Sequence, residues 1–461
     1  MIPIKTVVDK ANTKITAGGL TDLEYTQLSS ADVFLDRAGV KVAANFLLLP
    51  SAANNEGIMY YVTNENIYYF SDGTYWRKDF SSNTTPITDA PVYAWGSGQD
   101  GALGEGNTTV SKSSPVSVVG PVALTNWIQV ASGDNFSLGI ISIGIAYAWG
   151  RNTNAQLGDG TIINRSSPVT VVGGITNWSQ VAAGGLHSLG LTSTGILYAW
   201  GYNAQGRLGD NTTSTRSSPV TVISPFAPWT RIAAGGSHSL GMTSIGVAYA
   251  WGLNNFGQIG DNTTSSRLSP VTVSNFGITW TQVAAGGAHS LSIRTNGTAY
   301  AWGYNSKGML GDGSIGNRSS PTVVVGGITN WSQVTAGRGF TSGNSLGLTS
   351  AGIAYAWGYN SFGQIGDNTI IDKSSPVTVV GGITNWSLLA SGGRHSLGLT
   401  STGILYAWGN ALTGRLGDGT TVSKSSPVTV VGGITTWSQI AAGGAMNTGI
   451  FTRAIGTKGF V

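Results

Sequence analysis

The chain has 461 residues, 69 of them glycine and none cysteine, with 10% charged residues and a net charge of +4. The absence of cysteine excludes disulfides, thiolate chemistry and cysteine zinc sites, and no apolar run approaches the ~18 residues of a membrane-spanning helix. So small a net charge argues against nucleic acid as a partner, while 41% hydrophobic residues and 15 tryptophans demand a packed interior.

The first ninety residues differ in composition from the rest. The opening MIPIKTVVDKANTK lacks the apolar core of a signal peptide, and a short helix is expected near residues 29–36. Further on, GIMYYV and NIYYF read as strands around the turn TNE, and the DG of SDGTYW marks a second hairpin. These signals predict a small β-rich module over residues 1–85, a linker at 86–90 and a second domain over 91–461. Tyr60, Tyr61, Tyr68, Tyr69 and Trp76 are the module's candidate docking or oligomerisation residues, with a small aromatic core as the competing reading. The phrase LPSAANNEGIMYYVTNENIYYFSDGTYW resembles short modules near the N-termini of tailed-bacteriophage structural proteins, a resemblance confined to residues 49–76.

A repeat then takes over. The tripeptide AWG occurs seven times, with its tryptophan at Trp95, Trp149, Trp200, Trp251, Trp302, Trp357 and Trp408, and four of the six steps are 51 residues. A second series, Trp127, Trp178, Trp229, Trp280, Trp331, Trp386 and Trp437, runs between them. A fixed period of this length marks a repeat architecture. Within each unit VTVVGG, WSQVAAGG, HSLGLTSTG and ILYAWG are short strand-like runs cut by Gly, Asn, Asp or Pro, and no segment has helical periodicity. Four short strands per unit predict a blade of a β-propeller. The small residues beside each indole let sheets approach, and the blade-joining loops are expected to accept the buried indole N–H groups.

The chain ends complete one another. Val92–Trp95 is an ILYAW-type strand with no HSLGL-type strand before it, whereas Asn447–Phe451 is an HSLGL-type strand with no AWG after it. Pairing them closes a ring of seven four-stranded blades and removes two exposed edges. The fold class is therefore all-β, a seven-bladed propeller preceded by the small β-rich module. The repeated AWGxNxxGxLGDGTxxxxSSPVxV and WxxVAAGGxHSLxLTxxGxxYAWG closely resemble the regulator of chromosome condensation repeat family over about residues 90–456. The resemblance implies a seven-bladed propeller with a composite closing blade. It leaves function open, since the family includes exchange factors, chromatin binders and ubiquitin ligases.

Three repeated positions invite chemistry. An acid follows each first tryptophan: Glu105, Asp159, Asp210, Asp261, Asp312, Asp367 and Asp418. One carboxylate per turn is too few for calcium, so these are read as loop caps. A base stands further on, at Lys112, Arg165, Arg216, Arg267, Arg318, Lys373 and Lys424, and local pairing with the acids is preferred over an anion-binding ring. His187, His238, His289 and His395 share one slot and are read as structural. No motif for catalysis, a cofactor or a metal is found, and the protein is expected not to be an enzyme.

Breaks in the symmetry are the better candidates for binding. They lie at RGFTSGN in the fifth repeat, at GPVAL in the first and at SPFAP after Ile223, and they single out Phe226, Arg338, Phe340 and Asn344 as partner-binding residues. The module and the propeller together predict a non-enzymatic bacteriophage virion protein, tail-associated, fibre or capsid decoration, assembled in the host cytoplasm. Its expected partners are other virion proteins through the module and a host surface protein or glycan at the irregular loops. Homo-oligomerisation is expected, membrane insertion and nucleic acid are not. The alternative is an intracellular protein-binding propeller acting on a GTPase or on chromatin or DNA.

Overall fold

A computed structural model describes residues 90–451 except 108, 120–125, 224–227, 275–276, 278, 433 and 435, together with four strand backbones nearer the N-terminus. The chain divides into two compact units, one comprising Met1–Thr88 with Ala454–Val461 and the other Asp89–Arg453. In the first unit Val40–Ala43 pairs parallel with Met59–Val62, which pairs antiparallel with Ile67–Ser71, and that strand with Trp76–Lys78. The two hairpins fall where TNE and SDG stand. The helix expected near residues 29–36 lies outside the described residues.

The second unit is a ring of seven antiparallel four-stranded sheets. One blade serves for all: Trp178–Ala183, His187–Thr192, Leu197–Gly201 and Arg216–Thr221 pair in sequence order. The tryptophan-led first strands lie innermost, each against that of the next blade, and Trp437–Ala442 returns to Trp127–Ser132 to complete the circle. The closing blade joins Trp437–Ala442 and Met446–Phe451 to Val92–Gly96 and Lys112–Ser117, with Ile450 opposite Val92 and Met446 opposite Gly96.

Two tryptophans per blade form the core between sheets. Trp178 and Trp200 are both buried, with ring centroids 5.8 Å apart, and Tyr198 meets Trp178 edge-on at 5.5 Å. Around them pack Leu138, Ile140 and Leu157 of the preceding blade. The glycine of the HSLGL strand leaves room for the indole, because a Cβ on Gly190 would sit 2.4 Å from the Trp178 ring, although Ser292 occupies the equivalent slot of one blade.

The glycine-rich loop after each AWG explains why the tripeptide and the loop recur together. Gly158, at φ +69°, lies against Trp200 of the following blade, where a Cβ would come within 2.7 Å of the indole. The same seat is made by Gly104 on Trp149, Gly209 on Trp251, Gly260 on Trp302, Gly311 on Trp357, Gly366 on Trp408 and, across the closure, Gly417 on Trp95. These loops accept the indole N–H of six of the seven AWG tryptophans, Trp200 donating to the Gln156 carbonyl at 3.0 Å and Trp95 to that of Arg415 at 3.1 Å. Contrary to expectation, the buried indole nitrogens of Trp149, Trp178, Trp280 and Trp331 find no such partner.

The inner strands leave backbone groups facing the axis, and glutamine pairs them. Gln129 accepts from the Val181 N–H at 2.8 Å and donates to the Val181 carbonyl at 3.2 Å, bridging adjacent blades. Gln180, Gln282, Gln333 and Gln439 make equivalent links, whereas Arg231 and Leu388 occupy the slot in the two remaining blades.

Candidate functional site

The repeated charged residues are absorbed by their own loops. Asp159 accepts from the Thr161 N–H and hydroxyl at 3.0 and 2.7 Å and from Asn152 at 2.9 Å, and its second oxygen meets Arg165 at 2.7 Å. Burial acts to raise its pKa, but these hydrogen bonds together hold it below 3.8. The pairing recurs from Glu105–Lys112 at 3.3 Å to Asp418–Lys424 at 3.9 Å. Each base is tied to its acid, and the aspartates have both carboxylate oxygens engaged, while Glu105 keeps one buried oxygen without a partner. One carboxylate per loop makes no calcium cage, and the paired bases make no free cationic band. Partly exposed pairs of this kind contribute only about 0–1 kcal/mol each.

The histidines are inter-blade struts. His187 Nε2 lies 2.9 Å from Ser239 Oγ of the next blade, His238 stands likewise to Ser290, and His289 to Ser345 at 3.0 Å. Burial pushes His238 down to about 3 and His289 to about 4, so both are neutral at physiological pH. In the four histidine repeats the first glycine of the GG pair seats the ring: a Cβ on Gly184 would approach His187 Cε1 to 2.4 Å.

The second glycine of that pair builds the site. Gly185 N–H donates to the Gly235 carbonyl at 3.0 Å, Gly236 to Gly286, Gly287 to Gly337, Arg338 to Gly392, Gly393 to Gly443 and Gly444 to Gly133. The turns thus form a belt around the axis at one end of the ring. Five of its seven slots are glycine, and the other two carry Asp134 and Arg338. Arg338 reaches the Ala183 carbonyl of the second blade, three blades away around the ring, and faces Asp134 of the first. Burial raises the Asp134 pKa, opposed by the charges of Arg338 and Arg151.

Above the belt opens a cavity of about 840 Å³, lined among others by Arg207, Arg338, Arg394, Arg415, Phe340 and Leu412. Arg207 lies over the Tyr202 ring at 4.8 Å and Arg394 over Phe362 at 5.5 Å. Phe340 packs edge-on to Phe256 at 5.7 Å, and Phe256 to Tyr304 at 4.8 Å. Burial lowers Arg207 and Arg415 to about 10, the latter helped by repulsion from Arg394, which leaves both charged at neutral pH.

Of the residues singled out from sequence, Arg338 and Phe340 meet at this mouth, Phe340 being 40% exposed. Asn344 is fully buried. It takes the histidine slot of its blade, donating to Ser396 Oγ at 3.0 Å, and so presents no surface to a partner. Phe226 lies outside the described residues, as do residues 120–125. Tyr60 pairs with Tyr69 and Tyr61 with Tyr68 across the module's hairpin, and Trp76 with Ser71, but their side chains lie outside the described residues. Sequence reasoning missed Asp134, Arg207, Arg394 and Arg415. Superposing the seven repeats on their tryptophans reveals them, because each charge stands where most other copies carry a neutral residue.

Comparison with known proteins bears on the whole reading. The model of the RCC1-like domain matches residues 84–343, and that of the regulator of chromosome condensation (RCC1) repeat matches 351–399 and 402–448. The chain is 31% identical to the ultraviolet-B receptor UVR8 of Arabidopsis thaliana over 73% of its own length and 76% of the receptor's. It is 30% identical to the human E3 ubiquitin-protein ligase HERC2 over 74% of its length, but spans only 7% of that ligase. Among solved structures, human WBSCR16 superposes with a TM-score of 0.70 at 21% identity, covering 79% of this chain and 100% of that one. Yeast RCC1 (Prp20), solved with Kap60, does so at 0.70 and 21%, covering 80% and 90%.

These relatives overturn the virion reading. Neither a bacteriophage structural protein nor a capsid or tail component stands among the proteins just named, and the phage likeness of residues 49–76 finds no support. The virion location and the virion and host-glycan partners fall with it. A short aromatic hairpin is simply too common a sequence pattern to outweigh seven matched repeats. The chain belongs to the RCC1 repeat family, as a non-catalytic seven-bladed propeller.

Proposed function

We propose that this protein is a protein-binding propeller whose partner docks on the end of the ring that carries the arginine-lined mouth. The observation behind this reading is the concentration there of arginine and aromatic side chains with exposed Phe340 and Leu412, on a belt of rigid backbone. Arginine and aromatic residues dominate binding energy at protein interfaces, and a preformed surface loses little entropy when it is covered. The charge selects an acidic partner surface. Family membership supplies a precedent in kind: yeast Prp20p is described with its binding to Gsp1p and histones, and UVR8 is a receptor.

Calorimetric titration of the purified chain with Gsp1p tests the reading, with the strongly basic core histones as the partner that an arginine-lined mouth should reject. Gsp1p should bind, and Phe340→Ala combined with Leu412→Ala should weaken it tenfold or more, since hot-spot truncations cost about 2 kcal/mol or more. Ile245→Ala, in a hairpin turn at the opposite end of the blade and 74% exposed, should bind as the parent does. Absence of Gsp1p binding, preference for the histones, or equal effects at the two ends would count against it.

A further inference from the structure

We propose that the axial mouth is itself a binding site for a small, multiply charged oxyanion, held by Arg207, Arg338, Arg394 and Arg415. This goes beyond protein docking and does not depend on it. The lining carries four guanidinium groups and one carboxylate, Asp134, a balance of 4 − 1 = +3. The groups are held in place rather than free to drift apart. Arg415 donates to the Leu412 carbonyl at 2.8 Å and to that of Gly444 at 3.3 Å. Arg207 donates to the Gly236 carbonyl at 3.3 Å and to Gln205, and Arg394 to Ser342 Oγ at 3.4 Å.

Two of these cations are incompletely satisfied where water does not reach them. Arg207 Nε and Arg338 Nη1 are buried and have no hydrogen-bond partner. A buried donor without an acceptor is costly, and a charged one more so. Several such donors around one cavity repel one another, and an oxyanion between them relieves both penalties at once. Guanidinium forks match the paired oxygens of phosphate and carboxylate groups. A volume of about 840 Å³ suits a small molecule, and the hydroxyls of Ser237, Thr341 and Ser342 add neutral donors at its wall.

The shared chemistry, two or more oxyanion groups a few ångströms apart, occurs in phosphoryl and in polycarboxylate compounds. Pyrophosphate and citrate are the corresponding probes, titrated calorimetrically into the full chain at constant ionic strength, without a partner protein. Saturable one-to-one binding of either probe is expected, and the tighter one identifies the source. Arg394→Ala removes an exposed side chain and should weaken binding at least tenfold with the melting temperature unchanged. Arg338→Ala should do the same where it folds. Arg318→Ala, in an outer loop, should leave binding within twofold of the parent. No saturable binding of either probe, or equal losses in Arg318→Ala and Arg394→Ala, would overturn the proposal. Because no partner is present, that failure would leave the docking reading untouched.

Discussion

At the scale of single residues, the seven AWG tryptophans are each clamped by a loop glycine of the preceding blade. Gly366 is representative, at φ +76° with a prospective Cβ 2.7 Å from Trp408 Nε1. Gly366→Ala should destabilise the propeller by roughly 2–4 kcal/mol, combining left-handed strain with overpacking, as read by urea unfolding. A cost below about 0.5 kcal/mol, the level of a neutral surface change, would show that the loop does not clamp the indole. The histidines make a second prediction. His238 falls from 6.5 to about 3 on folding, so the unfolded chain binds the extra proton first. Its contribution is therefore intact above pH 6.5 and is lost progressively as pH falls toward 3. The loss is roughly 1.4 kcal/mol per pH unit for each histidine. His238→Asn, which copies the side chain that Asn344 already places in this slot, should reduce the slope of stability between pH 6 and pH 4 by about one proton's worth. An unchanged slope would mean that this imidazole is protonated in the folded state. The aspartates add acid sensitivity below their ordinary 3.8, where protonation breaks the loop caps.

At the scale of strands and blades, much of the structure can be read from the sequence. Period, strand count and the complementary ends are properties of local pattern, and Val92–Gly96 pairs with Met446–Phe451 as the two half-blades require. Truncation after Gly443 deletes the strand that joins them and exposes two edges. It should lower the melting temperature by well over ~10 °C or cause aggregation, and a cooperative transition at the parent temperature would refute closure as a source of stability. The glutamine bridges were not legible, because Gln129 and Gln180 are ordinary polar residues until the neighbouring strand is in place. Gln180→Ala should cost about 1 kcal/mol for a lost inter-blade hydrogen bond. Replacement at Leu388, where no such bond exists, offers the comparison.

At the scale of the whole molecule, the binding face was the least legible feature. It arises where the seven belt turns converge, five of them GG, and the converging charges are separated by as many as 281 residues, from Asp134 to Arg415. Length-changing breaks in the repeat led to Arg338 and Phe340, yet equally to buried Asn344. Single charged substitutions that keep the length, such as Arg207 and Arg394, leave the period unchanged and show only when the repeats are aligned residue by residue. The N-terminal hairpin was legible as structure but misleading as function, because an aromatic strand pair carries no address. The most direct measurement is hydrogen exchange of the chain, alone and bound to Gsp1p. Docking at the mouth predicts added protection in the turns around Arg338–Gly343 and Asn410–Thr413, with none at the hairpin turns around Ile245 and Ile353. Protection at those far turns, with the mouth exchanging as in the free protein, would contradict it.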